Sequence, residues 1–196
     1  KYEDGLKNEN VNYLYSKKNE SIPTGSCLIL ITPDSERTMC TFLGIAGKIG
    51  ENDIDVNILK KAEIVFLEGY LWDKGEPKKA FDKAIKNSNK IAMTLSDLFC
   101  VERHKSEFLE LVRNKLDIVF SNEQEILSLI DSKSFNDAIS FSKNLGKNII
   151  ITRGKKGAIA INEGNVFECP AGKNLQIIDL TGAGDLFAAG YLHGVI

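Results

Sequence analysis

From Glu63 onward the chain alternates short, uninterrupted apolar runs with longer amphipathic stretches, and this alternation constrains the fold more than any other feature. The runs "EIVFLEG" (63–69), "KIAMTL" (90–95), "DIVFS" (117–121) and "NIIITR" (148–153) are too short for helices and rich in β-branched residues, so each predicts a strand. None has a polar alternate face. That predicts burial on both sides, the mark of a parallel sheet covered by helices on both faces. The stretches between supply the helices. "PKKAFDKAIKNS" (77–88) has Pro in its first turn and gathers Ala80, Phe81, Ala84 and Ile85 on one face. "ERHKSEFLELVRN" (102–114), "NEQEILSLI" (122–130) and "SFNDAISFSKNL" (134–145) predict three more. "AIAINEG" and "NVFECP" then read as an antiparallel hairpin across Glu163–Asn165, ahead of a glycine turn and a last helix.

The first sixty residues follow another pattern. "SCLILITPDSERTMCTFLG" predicts strand–turn–strand, with Pro33, Asp34 and Ser35 in the turn. A hairpin ahead of a parallel sheet predicts a small β-flap, or lid. The chain accordingly divides into flap strands and connection over 1–60 and an α/β core over 61–196. It opens without a Met and closes on a helix apolar nearly all round, with Leu186, Phe187, Ala188, Ala189, Tyr191, Leu192 and Val195. Such a helix needs a sheet and neighbouring helices to bury it, so both ends read as those of a fragment.

Charge and composition exclude several function classes. A net charge of −2 offers no basic face for a nucleic acid. No run approaches the roughly 18 apolar residues of a membrane span, and no basic segment leads into an apolar one at the start. A cytoplasmic protein with neither nucleic-acid nor membrane partners is expected. Cys27, Cys40, Cys100 and Cys169 stand 13, 60 and 69 residues apart, a spacing that fits neither a zinc site nor a small disulfide scaffold. Buried free thiols are the expectation.

The chemistry-bearing residues cluster after strands, where parallel sheets form their ligand crevice. Three clusters qualify: "SNEQE" (121–125), "TRGKKG" (152–157) and "DLTGAGD" (179–185). Each admits a structural alternative. Ser121 with Gln124, or Asn122 with Glu125, has the spacing of a helix capping box. "GKKG" suits a polar hairpin turn. Gly182, Ala183 and Gly184 before Asp185 suit either a tight turn with an acidic helix start or an anion site built from backbone N–H groups. Phe187 occupies the sixth position of a dinucleotide-binding glycine pattern, and the phosphate-loop pattern GxxxxGK[ST] is absent, so neither common nucleotide motif accounts for the glycines.

Taken together, "NEQE", "TRGKKG" and "DLTGAGDLFAAG", in that order, resemble the PfkB or ribokinase-like family of carbohydrate and nucleoside kinases. Its signature is a D-[TS]-x-G-A-G-D turn opening a helix, preceded by N-x-x-E and T-x-G-x-x-G. The stretches "PTGSCLILITPDSERTMCTFLG", "EGYLWD" and "TLSDLFCVERH" are most similar to its bacterial adenosine-kinase-like branch. The resemblance spans essentially the whole chain and implies a ribokinase-like α/β fold with a mostly parallel sheet. It implies a kinase that uses ATP and Mg2+ to phosphorylate a primary hydroxyl of a ribose-like substrate, with adenosine first and a ribokinase- or fructokinase-type sugar as the alternative. A non-catalytic binding fragment on the same fold is a further alternative.

Position by position, the resemblance makes Asp185 the catalytic base and the N–H groups of Gly182, Ala183 and Gly184 the anion hole for the transferring phosphoryl group. Asn122 and Glu125 would organise magnesium and phosphate, with Glu125 acting on the metal through water. Thr152, Gly154 and Gly157 match the nucleotide-binding stretch, and Asp179 and Thr181 the start of the Asp turn, although Leu180 replaces the usual small hydroxyl residue. Arg37 after the flap turn and Phe99 in "SDLFC" are the substrate-side candidates, against a solvated hairpin charge and a core aromatic. Trp72 is open between site and core, and His104 and His193 are expected on helices without a catalytic role. A homodimer through the flap strands "CLILIT" and "TMCTF" is also implied. The family's sugar-gripping G-G-x-x-x-N segment and its closing C-terminal helices do not occur in this sequence, so the chain alone is expected to lack half of the substrate site and part of the ATP site.

Overall fold

A computed structural model describes residues 2–14, 19–34, 37–72, 75–174 and 176–196. The four apolar runs form β3 (Val65–Glu68), β4 (Ile91–Thr94), β5 (Ile118–Asn122) and β6 (Asn148–Thr152), all parallel. Strand β7 (Ala158–Asn162) adds antiparallel to β6 and β8 (Asn165–Cys169) antiparallel to β7, giving one six-stranded sheet in the order β3-β4-β5-β6-β7-β8. The β7–β8 connection is tight because Glu163 (φ 49°) and Gly164 (φ 78°) both take the left-handed conformation that two-residue hairpins require.

Because the parallel strands follow one another in order, right-handed crossovers carry every connecting helix to the same face. Those helices are α3 (Glu76–Asn87), α4 (Leu98–Asn114), α5 (Glu123–Leu129) and α6 (Phe135–Leu145). Their buried Phe81, Val101, Phe108, Val112, Ile126 and Ala138 pack on Met93, Val119, Ile149 and Ile151. The alternate strand residues Ala92, Ile118, Phe120 and Ile150 face the other way and receive α7 (Ala183–Val195) through Phe187, Ala188, Tyr191 and Leu192. This two-sided burial explains why the strands read as continuous apolar runs. The expected arrangement of a mostly parallel sheet with helices on both faces is what the structure has.

The predicted flap is β1 (Thr24–Ile31) paired antiparallel with β2 (Arg37–Gly44) as a separate two-stranded sheet. In its turn, Ser35 lies outside the described residues. Both faces of the ribbon are exposed, so Cys27 and Cys40 are too, and Cys169 is exposed at the end of the edge strand. The expectation of buried thiols therefore holds for Cys100 alone: among the described residues no layer covers the ribbon that carries Cys27 and Cys40, and Cys169 shares the uncovered face of β8 with exposed Phe167, although all four are free. Two helices come without a sequence expectation: α1 (Tyr2–Asn8), which buries nothing, and α2 (Val56–Lys61), capped by the Asp55 carboxylate accepting from the Asn57 N–H at 2.8 Å. Helix α4 begins four residues before its predicted start, because Asp97 caps it by accepting from the Cys100 N–H at 2.7 Å. Trp72 is core, edge-on to Phe81 and Phe108. His104 is buried in α4 beside Glu107, and His193 is exposed on α7. Among the described residues no helix is long and apolar enough to cross a membrane.

Candidate active site

The carboxyl ends of β3 to β6 bring Glu68, Thr94, Asn122 and Thr152 to one edge, and the register pairs Asn122 directly with Thr152. Helix α7 runs back across the sheet, with the Tyr191 hydroxyl donating to Asn148 Oδ1 (2.9 Å) at the amino end of β6. The amino end of α7 therefore arrives at the carboxyl edge of the strands, where a helix presents unpaired N–H groups and the positive end of its dipole.

The turn into α7 is built by its own residues. The Asp179 carboxylate accepts from both the N–H and the hydroxyl of Thr181, each at 2.8 Å, which holds its pKa below the usual carboxylate range. Gly182 caps the helix in the left-handed region at φ 75°, a conformation a side chain resists. Ala183, Gly184 and Asp185 follow in the first helical turn, all exposed, with no heavy atom within 4 Å of where a Cβ on Gly184 would stand. The backbone is open at Gly184, whereas the Ala183 N–H, expected in the anion hole, donates to the Leu180 carbonyl at 3.2 Å. Asp185 lies close enough to Glu68 for its charge to act on it: burial first, then the Asp185 carboxylate, raises the Glu68 pKa.

Asn122 and Glu125 do form a capping box at the start of α5. The Asn122 side-chain oxygen accepts from the Glu125 N–H (2.8 Å). Glu125 accepts from the Asn122 N–H (2.9 Å) and side-chain amide (2.7 Å), one on each oxygen. Ser121 takes no part in capping; it is buried, and its Oγ has no partner among the described residues. Glu125 is also buried, and desolvation pushes its pKa up to about 7 against the opposing Asn122 N–H bond, with Asp97 adding to the rise. Both Glu125 oxygens are thus engaged, which suits a hydrated magnesium ion met through its own waters rather than a bare one. Among the described residues no group of three or more His, Cys, Asp or Glu could hold a metal by itself.

After β6, Gly154–Lys156 forms a single helical turn closed by the Arg153 N–H donating to the Gly157 carbonyl at 2.8 Å. Gly157 has a local reason to be glycine: at φ 88° a Cβ would stand 2.0 Å from the Cys169 carbonyl oxygen, so the turn could not lie against the end of β8. The Thr152 hydroxyl donates to the Ser121 carbonyl at 3.4 Å.

On the opposite flank, Arg37 opens β2 and is exposed; against burial at Tyr70 and alongside the Thr181 hydrogen bonds at Asp179, which are the larger causes, its charge acts to lower both pKa values. Phe99 is exposed at 62%, with the Arg103 guanidinium 4.2 Å from its ring centroid, and is therefore not core. Tyr70, on the loop after the neighbouring strand, is half exposed and fastened to Ser96 through its N–H and its hydroxyl, both at 3.2 Å; burial, then the Asp97 charge, pushes its pKa up to about 12. Sequence reasoning missed Glu68 and Tyr70 as site residues. A carboxylate ending an otherwise apolar strand was the available signal for Glu68. A groove of about 540 Å3 lined by Asp82, Lys86, Ile91, Leu111, Lys115 and Asp117 lies at the amino ends of the strands, away from this edge.

This architecture is the ribokinase-like α/β fold. The model of the pfkB family carbohydrate kinases matches residues 1–196, and the chain belongs to that family. Adenosine kinase from Sinorhizobium meliloti superposes with a TM-score of 0.93 at 34% identity, over 99% of this chain and 61% of that one. Adenosine kinase of Schizosaccharomyces pombe is 26% identical over 87% of this chain and 56% of its own length. Cytidine kinase of Thermococcus kodakarensis is 37% identical over 46% of this chain and 33% of its own length. The chain thus spans between a third and just over half of the length of these two curated relatives.

Proposed function

We propose that this chain carries the phosphoryl-transfer end of an ATP- and magnesium-dependent kinase that phosphorylates the primary hydroxyl of a ribose-like substrate, with adenosine first. The observation that carries this is the exposed Asp185 carboxylate in the first turn of α7, set beside Glu68 on a turn opened by left-handed Gly182. Asp185 takes the proton of the acceptor hydroxyl, whose oxygen bonds to the γ-phosphorus as the bond to the ADP oxygen breaks. The N–H groups of Gly182, Ala183 and Gly184, at the positive end of α7, stabilise the charge on the transferring group. Thr152, Gly154, Gly157, Asp179 and Thr181 lie on the nucleotide side of this assignment. Magnesium, when bound, neutralises phosphate charge. Asn122 and Glu125 hold the amino end of α5 rigid through their mutual hydrogen bonds and would meet the ion through its waters. Arg37, Phe99 and Tyr70 form the acceptor side, where two exposed aromatic rings suit a nucleobase.

A sugar kinase of ribokinase or fructokinase type is the second reading, favoured by the Glu68–Asp185 carboxylate pair, which suits the hydroxyls of a free sugar equally well. In the same proposal, residues 1–60 act as lid and connection, 61–196 as the catalytic core, and the protein works in the cytoplasm. The lid face that carries Leu28, Leu30 and Phe42 is exposed and opposite to the face that carries Arg37, so we assign it to pairing with a second copy. Substituting Asp185→Asn in the full-length gene product tests the catalytic assignment. Turnover is expected to fall by about 10²–10⁴-fold, the range for loss of a general base, with ATP affinity retained. Equal turnover in wild type and variant would refute it.

A further inference from the structure

The strands β5 and β6 run in register up to Asn122 and Thr152 and then part, one into α5 and the other into the Gly154–Lys156 turn. One residue beyond that last pair, the two chains are joined again through side chains. Arg153 Nε donates to Glu123 Oε2 at 2.8 Å, with the two side chains only 20% and 27% exposed. The same guanidinium lies 3.7 Å from the ring centroid of Phe135, the first residue of α6, and Lys156 adds its charge 3.8 Å from the other Glu123 oxygen. The hydrogen bond from Arg153 leads the causes that hold the Glu123 carboxyl below its usual range.

We infer that Arg153 is a positioning residue: stacked on Phe135 and bonded to Glu123, it pins the 154–156 turn to the amino end of α5 and so fixes the nucleotide-side turn relative to the Asn122–Glu125 pair. The inference rests on the kinase reading given above. Its physical basis is that three separate elements, the turn, α5 and α6, meet on one planar cation. The guanidinium supplies both the directed N–H and the flat face this requires, which a lysine ammonium does not. With its Nε donated to Glu123 and one face on Phe135, Arg153 is placed to act through the turn. Without it, the turn is held by the Arg153–Gly157 backbone bond and the packing of Gly157 on Cys169, and among the described residues its one remaining side-chain link to α5 is the long, exposed Lys156–Glu123 contact at 3.8 Å, which solvent screens.

The test uses Arg153→Met, Arg153→Lys and Glu123→Gln in the full-length gene product. ATP affinity is measured by calorimetry, and KM for ATP and for the acceptor by steady-state turnover. Arg153→Met is expected to weaken ATP binding and raise the KM for ATP by about tenfold, leaving the acceptor KM and kcat within about twofold. Arg153→Lys falls short of restoring wild-type affinity; Glu123→Gln keeps an acceptor for the Arg153 Nε but removes the charge, so it weakens ATP binding less than Arg153→Met, and the double variant is no worse than Arg153→Met alone. Should Arg153→Met fail to fold, Glu123→Gln alone carries the test with the same expected direction. A folded variant that binds ATP as tightly as wild type, or one that loses acceptor KM and kcat in equal measure, overturns the clamp and leaves the kinase reading standing. A wild type that binds no ATP overturns the kinase reading, and the clamp with it.

Discussion

Glu125 is the buried carboxyl that most directly links the site to stability, and its replacement by Gln has a calculable consequence. Its pKa of about 7 in the folded chain against 4.5 in the unfolded one amounts, at about 1.36 kcal/mol for each pH unit between them, to about 3 kcal/mol. The sign follows from which state binds the proton. Below pH 4.5 both states hold it and the group costs nothing. Between pH 4.5 and 7 the folded state holds it while the unfolded chain has released it, so stability falls as the pH rises. Above pH 7 both are ionised and the full penalty of a desolvated carboxylate is present. Glu125→Gln removes the charge and with it this penalty; it keeps an acceptor for only one of the two Asn122 donors, a loss that does not depend on pH and cancels between the two conditions. Urea unfolding of wild type and variant at pH 5 and pH 8 is the assay. The stability of the variant relative to wild type should rise by about 2–3 kcal/mol between the two conditions, with titrations elsewhere cancelling in the difference. A difference independent of pH would show that Glu125 is already ionised at pH 5 in the folded chain and would refute the burial argument.

Two further outcomes follow from the same geometry. Phe99→Ala should raise the KM for a nucleoside acceptor about tenfold while leaving that for a free sugar unchanged, since only a base has a face to stack on the exposed ring; equal effects on both acceptors would remove Phe99 from the site. Sedimentation of the full-length gene product should give a dimer that Phe42→Asp converts to a monomer, because Phe42 shares the outer lid face with Leu28 and Leu30; a wild-type monomer, or a variant that still dimerises, would rule out pairing through the lid.

Most of the fold was legible because the strands are buried on both faces and their apolar residues are contiguous: Ile118, Val119 and Phe120 alternate between two cores, so no polar position interrupts them. The capping box was legible as a spacing, yet spacing left Ser121 and Asn122 as equal candidates, and only the backbone turn out of β5 selects Asn122. Cysteine burial was misjudged because β1 and β2 look like core strands in sequence, and their exposure comes from the absence of any layer over the ribbon among the described residues. The caps Asp55 and Asp97 were present as signals for α2 and for the start of α4; the short apolar stretches behind them did not look like helix by themselves. Phe99 and Trp72 were interchangeable as aromatics in ambiguous runs. What separates them is where the chain lies after leaving each strand, with Trp72 folding back onto Phe108 and Phe99 projecting at the edge. The proximity of Glu68 to Asp185, 117 residues apart in sequence, is tertiary, because it depends on α7 crossing the sheet back to the ends of the strands.

The most direct measurement is ATP turnover by the full-length gene product in the presence of magnesium, with adenosine, ribose, fructose and no acceptor compared side by side. ADP formation should depend on adenosine and disappear in Asp185→Asn; dependence on ribose or fructose alone would keep the kinase and replace its substrate. A folded protein that binds ATP yet shows no acceptor-dependent turnover would mean that the glycine turn and Asp185 are scaffold, and would contradict the kinase assignment itself.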